Sequence, residues 1–427
     1  MLSQNAIVIS IEGLSTTQVG AYGSNTSQTK AVDAIAARGI VLDQCFLDSR
    51  QAQQNLLSLW TATHAITRQH QLVHVASIPA IKTIWQGLQA EAGVLVTDCT
   101  KTAELAERVG CSRVVLVEAE TSTEPVEEVT QCQFFSLQAA AAEVLEQLSS
   151  LDCPNKLLWI HSRGLRLPWD APTETRSRFK DADDPDPPTE VGPPLFQVDA
   201  NTDPDVVLGW THAAAAQVMV FDEGIEFILD LVEQLDQSWA WCVLGLNAYP
   251  LGEHGWIGDG EVRPNNHQLQ VVAILSPQPP LPIGWRVAGL CQLPDIGASI
   301  AHLCGIPFDS VNSQSKSSLP IWGRSQLSPL NDELPIHWEG QYQSAVMIDS
   351  NCRWLRAPAW SLLMEAEQNE TLFVQPDDHW EVNEVGSRCQ DVIEELREAC
   401  NGFVQAAQVG RREQMPKLNE VSCNLLR

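Results

Sequence analysis

The chain has 427 residues, enough for one large α/β domain and a smaller appended unit. Its formal net charge of −28 at pH 7 argues against binding to nucleic acid or to an anionic membrane surface, because both need clustered Lys and Arg. No uninterrupted apolar segment approaches the roughly 20 residues that span a bilayer. The 12 cysteines are scattered singly, which favours reduced core thiols over disulfides or zinc ligands. No apolar leader precedes the first predicted strand, so we expect a cytoplasmic protein.

Branched apolar runs alternate with longer helical patterns along most of the chain, which predicts a mostly parallel sheet with helices on both faces. The predicted strands are residues 6–11, 93–97, 114–117, 156–160, 239–244 and 270–275. The predicted helices are residues 30–38, 56–63, 81–90, 137–149, 213–234 and 296–304.

The pattern changes near Leu334. Residues 344–349, 353–356 and 371–374 predict a short antiparallel sheet, and 389–409 predicts an amphipathic helix followed by a polar tail. We therefore expect a large N-terminal domain over 1–335 and a small C-terminal subdomain over 336–427. Within the first, the acidic and proline-rich stretch 173–205 has too little apolar surface to order itself and predicts a mobile loop. A role for this loop as a lid or partner tether is the alternative.

Two segments carry chemistry at predicted strand ends, where sites collect in open α/β sheets. The first strand is followed by Glu12–Gly13–Leu14 and then Val19–Gly20–Ala21–Tyr22–Gly23. The apolar run 239–246 is followed by Asn247 and then Leu251–Gly252–Glu253–His254–Gly255.

These motifs, in this order, resemble the sulfatases of the alkaline phosphatase superfamily. That family opens with a strand, Asp-Asp-Leu and a His-Leu-Gly-x-Tyr-Gly turn, and later has Ser-Asp-(His or Asn)-Gly followed by Leu-Gly-Glu-His-Gly. The resemblance runs from Asn5 to Asn383. It implies a mixed, mostly parallel central sheet flanked by helices, with a small C-terminal α+β subdomain.

The resemblance also places the family's metal ligands. They correspond here to Glu12, Gly13, Leu246 and Asn247. A hard divalent cation prefers several oxygen ligands, usually with more than one carboxylate, so Glu12 and Asn247 alone fall short. We predict no cofactor, or calcium or magnesium if the site keeps some function. Glu12 satisfied by backbone amides, and Asn247 in ordinary turn chemistry, are the alternatives.

The nucleophile motif of the family, Cys-x-Pro-Ser-Arg, falls on residues 52–56. Ala52 stands where the cysteine matures to formylglycine, and Leu56 stands at the arginine. Alanine has no heteroatom for nucleophilic attack. Two weak candidates remain: Ser49, which is more readily the N-cap of the following helix, and His161, a strand-end acid or base that is more commonly a satisfied core histidine. Cys45 is interpreted as a buried thiol.

The remaining pocket positions carry mixed charge. Arg166 takes a histidine position of the family, and Asp259 takes that of a sulfate-binding lysine. His254 shapes its turn, and Trp256 offers a stacking surface at the pocket mouth. Arg50 could contact anions, but Asp48 and Asp259 oppose it. We predict a pocket suited to a neutral or cationic polar ligand rather than to sulfate or phosphate.

Three functions follow as hypotheses. The first is a catalytically inactive sulfatase-like protein that binds a small polar ligand or a protein partner. The second is a scaffold subunit that pairs with an active paralogue or with itself. The third is an active sulfuric or phosphoric ester hydrolase with a non-standard site, built from Ser49, Glu12, Asn247 and His161.

Overall fold

The computed structural model describes residues 4–70, 83–118, 124–166, 168–235, 237–260, 263–281, 283–306, 321–327, 344–365 and 369–423. An eight-stranded sheet lies at its centre. In spatial order its strands are β10 (Trp285–Gln292), β2 (Ile40–Phe46), β9 (Val272–Ser276), β7 (Trp239–Leu246), β1 (Gln4–Glu12), β5 (Asn155–Ser162), β3 (Gly93–Thr97) and β4 (Arg113–Leu116). Strand β9 runs antiparallel to β2 and β7, and the other neighbours pair in parallel.

Helices cover both faces of this sheet, because the side chains of its central strand alternate between two apolar cores. In β1, Ala6 and Val8 belong to the core on one face, with helices 52–61, 100–108, 293–303 and 390–409. Ile7 and Ile9 belong to the core on the other face, with helices 30–36, 133–150 and 204–234. The helices are α1 (Lys30–Ala36), α2 (Ala52–Thr61), α3 (Ala65–His70), α4 (Thr100–Arg108), α5 (Gln133–Ser150), α6 (Thr173–Ser177), α7 (Pro204–Gln234), α8 (Asn266–Leu269), α9 (Leu293–Leu303), α10 (Gln390–Val409) and α11 (Glu420–Cys423). No helix in the described ranges has the length and apolar character to cross a bilayer.

A four-stranded antiparallel sheet follows toward the C terminus. Its strands are β11 (Ala345–Ile348), β12 (Cys352–Arg356), β13 (Trp360–Glu365) and β14 (Glu370–Val374). This sheet shares one apolar core with the central sheet, and the Trp354 ring centroid lies 5.1 Å from that of Phe46. A buried ion pair joins Arg412 to Asp295 at 2.8 Å. The predicted boundary at 335/336 lies outside the described residues and stays a prediction.

The fold class predicted from the sequence is confirmed, but several elements differ. The predicted helix 81–90 is wrong over its described part, where Ile84 and Trp85 are buried core residues and only a 3-10 turn forms at Trp85–Gly87. Strands β2, β10 and β13 were not predicted, because polar residues interrupt their apolar runs.

The acidic stretch 173–205 contains more regular structure than its composition predicts. Helix α6 lies within it, β6 (Phe196–Gln197) pairs with β8 (Trp256–Ile257), and α7 begins at Pro204 rather than at 213. The fully buried Arg176 side chain donates hydrogen bonds to the backbone carbonyls of Trp169, Ala171, Pro188 and Glu190. One buried guanidinium thus connects several parts of a segment that has few apolar side chains. The mobility of this stretch stays a prediction.

Candidate active site

The sites predicted at two strand ends meet at one edge of the central sheet. Strands β1 and β7 are parallel neighbours, and Glu12 pairs in register with Leu246. The Gly13 amide donates to the Leu246 carbonyl at 2.6 Å. The four positions to which the resemblance assigns metal ligands are therefore adjacent, as the sequence motifs imply.

Glu12 is held by a guanidinium at this edge. Arg166 Nε lies 3.1 Å from Glu12 Oε2, and the same guanidinium donates to Asp259 Oδ2. Arg166 also reaches the Asn247 carbonyl at 3.4 Å. Burial raises the pKa of Glu12, but His161, Arg166 and Arg163 together bring it below its ordinary value. Glu12 is thus an ionised carboxylate neutralised by protein cations.

His161 lies beneath this pair and is fully buried. Its Nδ1 is 2.9 Å from Ser10 Oγ, which also accepts from Trp159 Nε1 at 2.9 Å. Its Nε2 is 3.5 Å from Glu12 Oε1. Ser10 Oγ can also donate to the Ile160 carbonyl at 3.5 Å, and the tautomer in which Ser10 donates to Nδ1 directs the Nε2 proton toward the carboxylate. His161 therefore positions Glu12 from inside the core and has no exposed surface for a substrate.

The two other positions to which the resemblance assigns metal ligands, Leu246 and Gly13, are tightly packed. Leu246 is part of the apolar core and 1% exposed. Gly13 has φ +85°, and a Cβ added there would lie 2.8 Å from Leu165 Cβ and 3.0 Å from Tyr249 Cε1. The Tyr249 hydroxyl donates to the Leu165 carbonyl, which fixes this packing.

These residues do not fit a divalent cation. One carboxylate, already paired with the Arg166 guanidinium, replaces the several oxygen ligands that calcium or magnesium prefers. Within the ranges that the structure describes, no group of three His, Cys, Asp or Glu side chains could hold a metal.

Asn247 joins the ends of β7 and α2. Its Oδ1 accepts from Asn55 Nδ2 at 3.1 Å, and its Nδ2 donates to the Arg50 carbonyl at 3.0 Å. Its φ of +51° is a left-handed conformation that Asn tolerates better than most residues. Both ends of the amide are therefore occupied by structural contacts. Sequence reasoning missed Asn55, which has no motif of its own.

The residue at the family's nucleophile position begins a helix. Ala52 is the first residue of α2, and Gln51 is its N-cap, without a side-chain capping bond. The prediction that Ser49 is the N-cap is wrong by two residues: Ser49 Oγ accepts from the Gln51 amide at 3.1 Å, a turn preceding the helix. In the part of the chain that the structure describes, no hydrogen bond joins Ser49 to Glu12, Asn247 or His161. Cys45 is buried, as predicted.

A shallow pocket of about 70 Å³ opens at this edge and is called the edge pocket here. It is lined by Arg50, Arg166, Asn247, Tyr249 and Asp259, among others. Arg50 pairs with Asp349 of the C-terminal region at 3.3 Å. The cations lining the pocket are thus matched by carboxylates.

Three of the predicted pocket residues do not line the edge pocket: Glu12, His254 and Trp256. Asp48 is fully buried and accepts from Ser58 Oγ and the Ala65 amide, so its charge faces α2 and α3 rather than the pocket. His254 and Trp256 do not line the edge pocket. They line a second pocket together with Pro264 and residues of the C-terminal sheet, and His254 has a left-handed φ of +54°.

Solved structures with the same architecture include sulfatases and phosphonate monoester hydrolases. A phosphonate monoester hydrolase of Agrobacterium radiobacter is 13% identical, with a TM-score of 0.72 over 98% of this chain and 99% of that one. A 2-O GAG sulfatase is 14% identical, with a TM-score of 0.68 over 98% and 95% of the two chains. A Vibrio parahaemolyticus protein of the alkaline phosphatase superfamily is 13% identical, with a TM-score of 0.58 over 98% and 89%.

The chain therefore has the fold of the sulfatases and phosphonate monoester hydrolases, as the sequence motifs imply. The sequence itself matches no protein-family model and no curated protein.

Proposed function

We propose that this protein is a catalytically inactive sulfatase-like protein that binds a ligand or partner without converting it. One observation carries the proposal: the Arg166 guanidinium contacts Glu12, Asp259 and the Asn247 carbonyl at the edge where the resemblance places a divalent cation. The Arg166 guanidinium at this position permanently balances the negative charge of Glu12. It offers no open coordination position to a substrate oxygen.

The residue at the nucleophile position supports the same conclusion. Ester hydrolysis through a covalent intermediate needs an activated heteroatom, and Ala52 supplies none at the start of α2. The alternative set of Ser49, Glu12, Asn247 and His161 lacks the contacts that would activate Ser49. His161 is also fully buried, and the Asn247 amide is occupied at both ends.

Activity assays test this proposal directly. Purified full-length protein should not hydrolyse 4-nitrophenyl sulfate, 4-nitrophenyl phosphate or a 4-nitrophenyl phosphonate monoester above the buffer rate, with or without added calcium or magnesium. Ser49→Ala should behave identically. Turnover abolished by Ser49→Ala would establish the alternative hydrolase, and turnover that survives this change would reveal another nucleophile. Either result overturns the proposal.

The charge balance of the edge pocket supports weak anion binding. Arg50 and Arg166 line it, but Asp349, Glu12 and Asp259 pair with them. An approaching dianion would lose hydration without gaining an unpaired cation. Calorimetry should show no saturable binding of sulfate or phosphate at micromolar concentration. Micromolar binding that Arg166→Ala weakens would contradict this expectation.

A scaffold role is the companion hypothesis, because the fold is complete while the reacting groups are absent. Co-purification with an active paralogue would support that role, and a monodisperse monomer in light scattering would oppose it.

A further inference from the structure

Four aromatic rings connect the β7–β8 turn and α8 with the segment that follows β14, and are called the histidine–tryptophan cluster here. The His254 ring stacks on the His267 ring, with centroids 5.5 Å apart and an interplanar angle of 8°. The centroid of the His267 ring lies 5.7 Å from that of Trp380, which lies 5.1 Å from that of His379. The cluster therefore holds the 375–385 segment of the C-terminal region against α8.

The central ring of this cluster is held without charge. His267 is 2% exposed, and neither of its ring nitrogens has a hydrogen-bond partner among the described residues. A protonated imidazole has two donors to satisfy, and an unpaired charge is unfavourable in such a site. Burial, together with His254 and His379, lowers the pKa of His267 from 6.5 to about 3.

The two outer histidines lie nearer to water and add to the same effect. His254 is exposed and His379 is half-buried. Burial lowers the pKa of both rings, so each binds a proton more readily when the cluster is open and solvated. The charged residues that face these two rings are Glu253, Arg263, Arg356 and Asp378.

The 375–385 segment is the part of this contact that can open. Trp380 is 42% exposed, and Glu381 has φ +54°, a left-handed value that is uncommon for a residue with a Cβ. A hydrogen bond from the Asn266 amide to Glu381 Oε2, at 2.8 Å, joins the segment to α8. Exposed segments of this kind open locally at a lower free energy than buried strands do.

We propose that the 375–385 segment is an acid-sensitive latch, which protonation of the histidine–tryptophan cluster releases from α8. Glu381 lines the second pocket, of about 290 Å³, so release of the segment opens that pocket as well. The proposal does not depend on the loss of catalysis at the edge pocket.

The sign and size of the effect follow from proton linkage. The closed state has the lowered pKa at His267, so its advantage is complete above pH 6.5 and is lost as the pH falls below that value. Between pH 7.5 and pH 5, His267 alone should increase the open fraction about thirtyfold. Glu381 opposes this, because burial raises its pKa and the closed state then binds its proton more readily. The net increase should therefore be about fivefold to thirtyfold.

Amide hydrogen exchange of the full-length protein at pH 7.5 and pH 5, corrected for intrinsic rates, measures this opening. The Glu381 and Val385 amides donate to the main-chain carbonyls of Asp378 and Leu372, at 3.0 and 2.9 Å. Their protection should fall about fivefold to thirtyfold at pH 5. The amide of Val8, in the central strand β1, should remain at least about tenfold more protected at both pH values, since it exchanges only on global unfolding.

Four variants identify the titrating groups. His267→Asn should reduce the pH response to about twofold or less, and His254→Asn, which tolerates the left-handed backbone, should reduce it by about half. Glu381→Gln should enlarge the response toward about thirtyfold, because it removes the opposing group and keeps an acceptor for Asn266. The control is His302→Gln on α9, which removes a histidine outside the cluster whose pKa burial also lowers, and it should leave the response unchanged.

Each contrary outcome overturns the proposal. These are protection that does not depend on pH, a response unchanged in His267→Asn, a smaller response in Glu381→Gln, and equal protection of the segment and Val8. If His267→Asn does not fold, His254→Asn changes an exposed residue, and an unchanged response there has the same meaning.

Discussion

Replacing Arg166 with alanine should leave Glu12 as a buried carboxylate without its guanidinium partner. The Glu12 residue is 7% exposed, and Arg166 Nε lies 3.1 Å from its Oε2. Asp259 loses the same partner, but its side chain is 44% exposed, so water replaces the guanidinium there. The loss of stability should therefore come from Glu12.

The size of this loss follows from the burial of both partners. Removing one partner of a fully buried ion pair costs about 3–5 kcal/mol. The Arg166 side chain is 27% exposed, so water can enter the space that it vacates, and we expect about 1–3 kcal/mol. With an unfolding entropy of about 2.1 cal/mol/K per residue, this corresponds to only about 1–3 °C in Tm. Denaturant titration is therefore the better assay.

The loss of stability in Arg166→Ala should depend on pH. In the native protein the pKa of Glu12 is lowered, because His161, Arg166 and Arg163 outweigh a burial that raises it. Its stabilisation is thus present above the ordinary pKa and is lost as the pH falls through the lower, folded pKa. In Arg166→Ala one of the charges that lower this pKa is removed, so the folded pKa of Glu12 should rise. The free-energy penalty of the variant should then grow between about pH 5 and about pH 8.

Glu12→Gln in the Arg166→Ala background is the matched control, because it removes the uncompensated charge and keeps the side-chain volume. It should recover most of the lost stability at pH 8. A double variant as unstable as Arg166→Ala, or a penalty that is equal at both pH values, would refute the reasoning.

Three further predictions concern metal, backbone and protonation. Purified protein should hold well under one equivalent of calcium or magnesium by elemental analysis, and a full equivalent that disappears in Glu12→Gln would revive a metal site. Gly13→Ala should lower the free energy of unfolding by about 2–3 kcal/mol in urea titration, because φ is +85° and the new Cβ would lie 2.8 Å from Leu165 Cβ. An unchanged urea midpoint would show that the neighbouring side chains can move to make room for the Cβ. Burial and the neighbouring histidines lower the pKa of His267 from 6.5 to about 3, so stability should rise with pH between those values by up to about 1.4 kcal/mol per unit. That slope should flatten in His267→Asn, and an equal slope in both proteins would contradict it.

The framework of the fold could be predicted because it depends on local pattern. The runs 6–11 and 239–244 are buried strands that pair side by side, and the positions after them meet at one sheet edge, as expected. Interrupted runs such as Leu42–Asp43–Gln44 in β2 could not be predicted, because a polar residue at a strand's partly buried position weakens the periodicity without preventing pairing.

The sequence predicts which residue types stand at the motif positions, but it does not predict the geometry that these residues form. Ala52, Gly13 and Leu246 follow from counting along motifs, and the charge of Glu12 opposite Arg166 follows from the same count. The placement of His254 and Trp256 does not, since their pocket is completed by Leu363, Phe373 and Glu381, which are distant in the sequence. A structural role for Asn55 could be recognised only from its hydrogen bond to Asn247.

The apolar core that joins the two sheets makes the C-terminal region part of one cooperative unit rather than a detachable module. Trp354, Leu363 and Phe403 belong to the same cluster as Trp60 and Leu42. A chain truncated before β11 would expose that surface to water and should aggregate instead of folding as a smaller protein. For the same reason, a ligand held between the two sheets would stabilise the whole molecule, and its binding would shift a single calorimetric transition instead of splitting it.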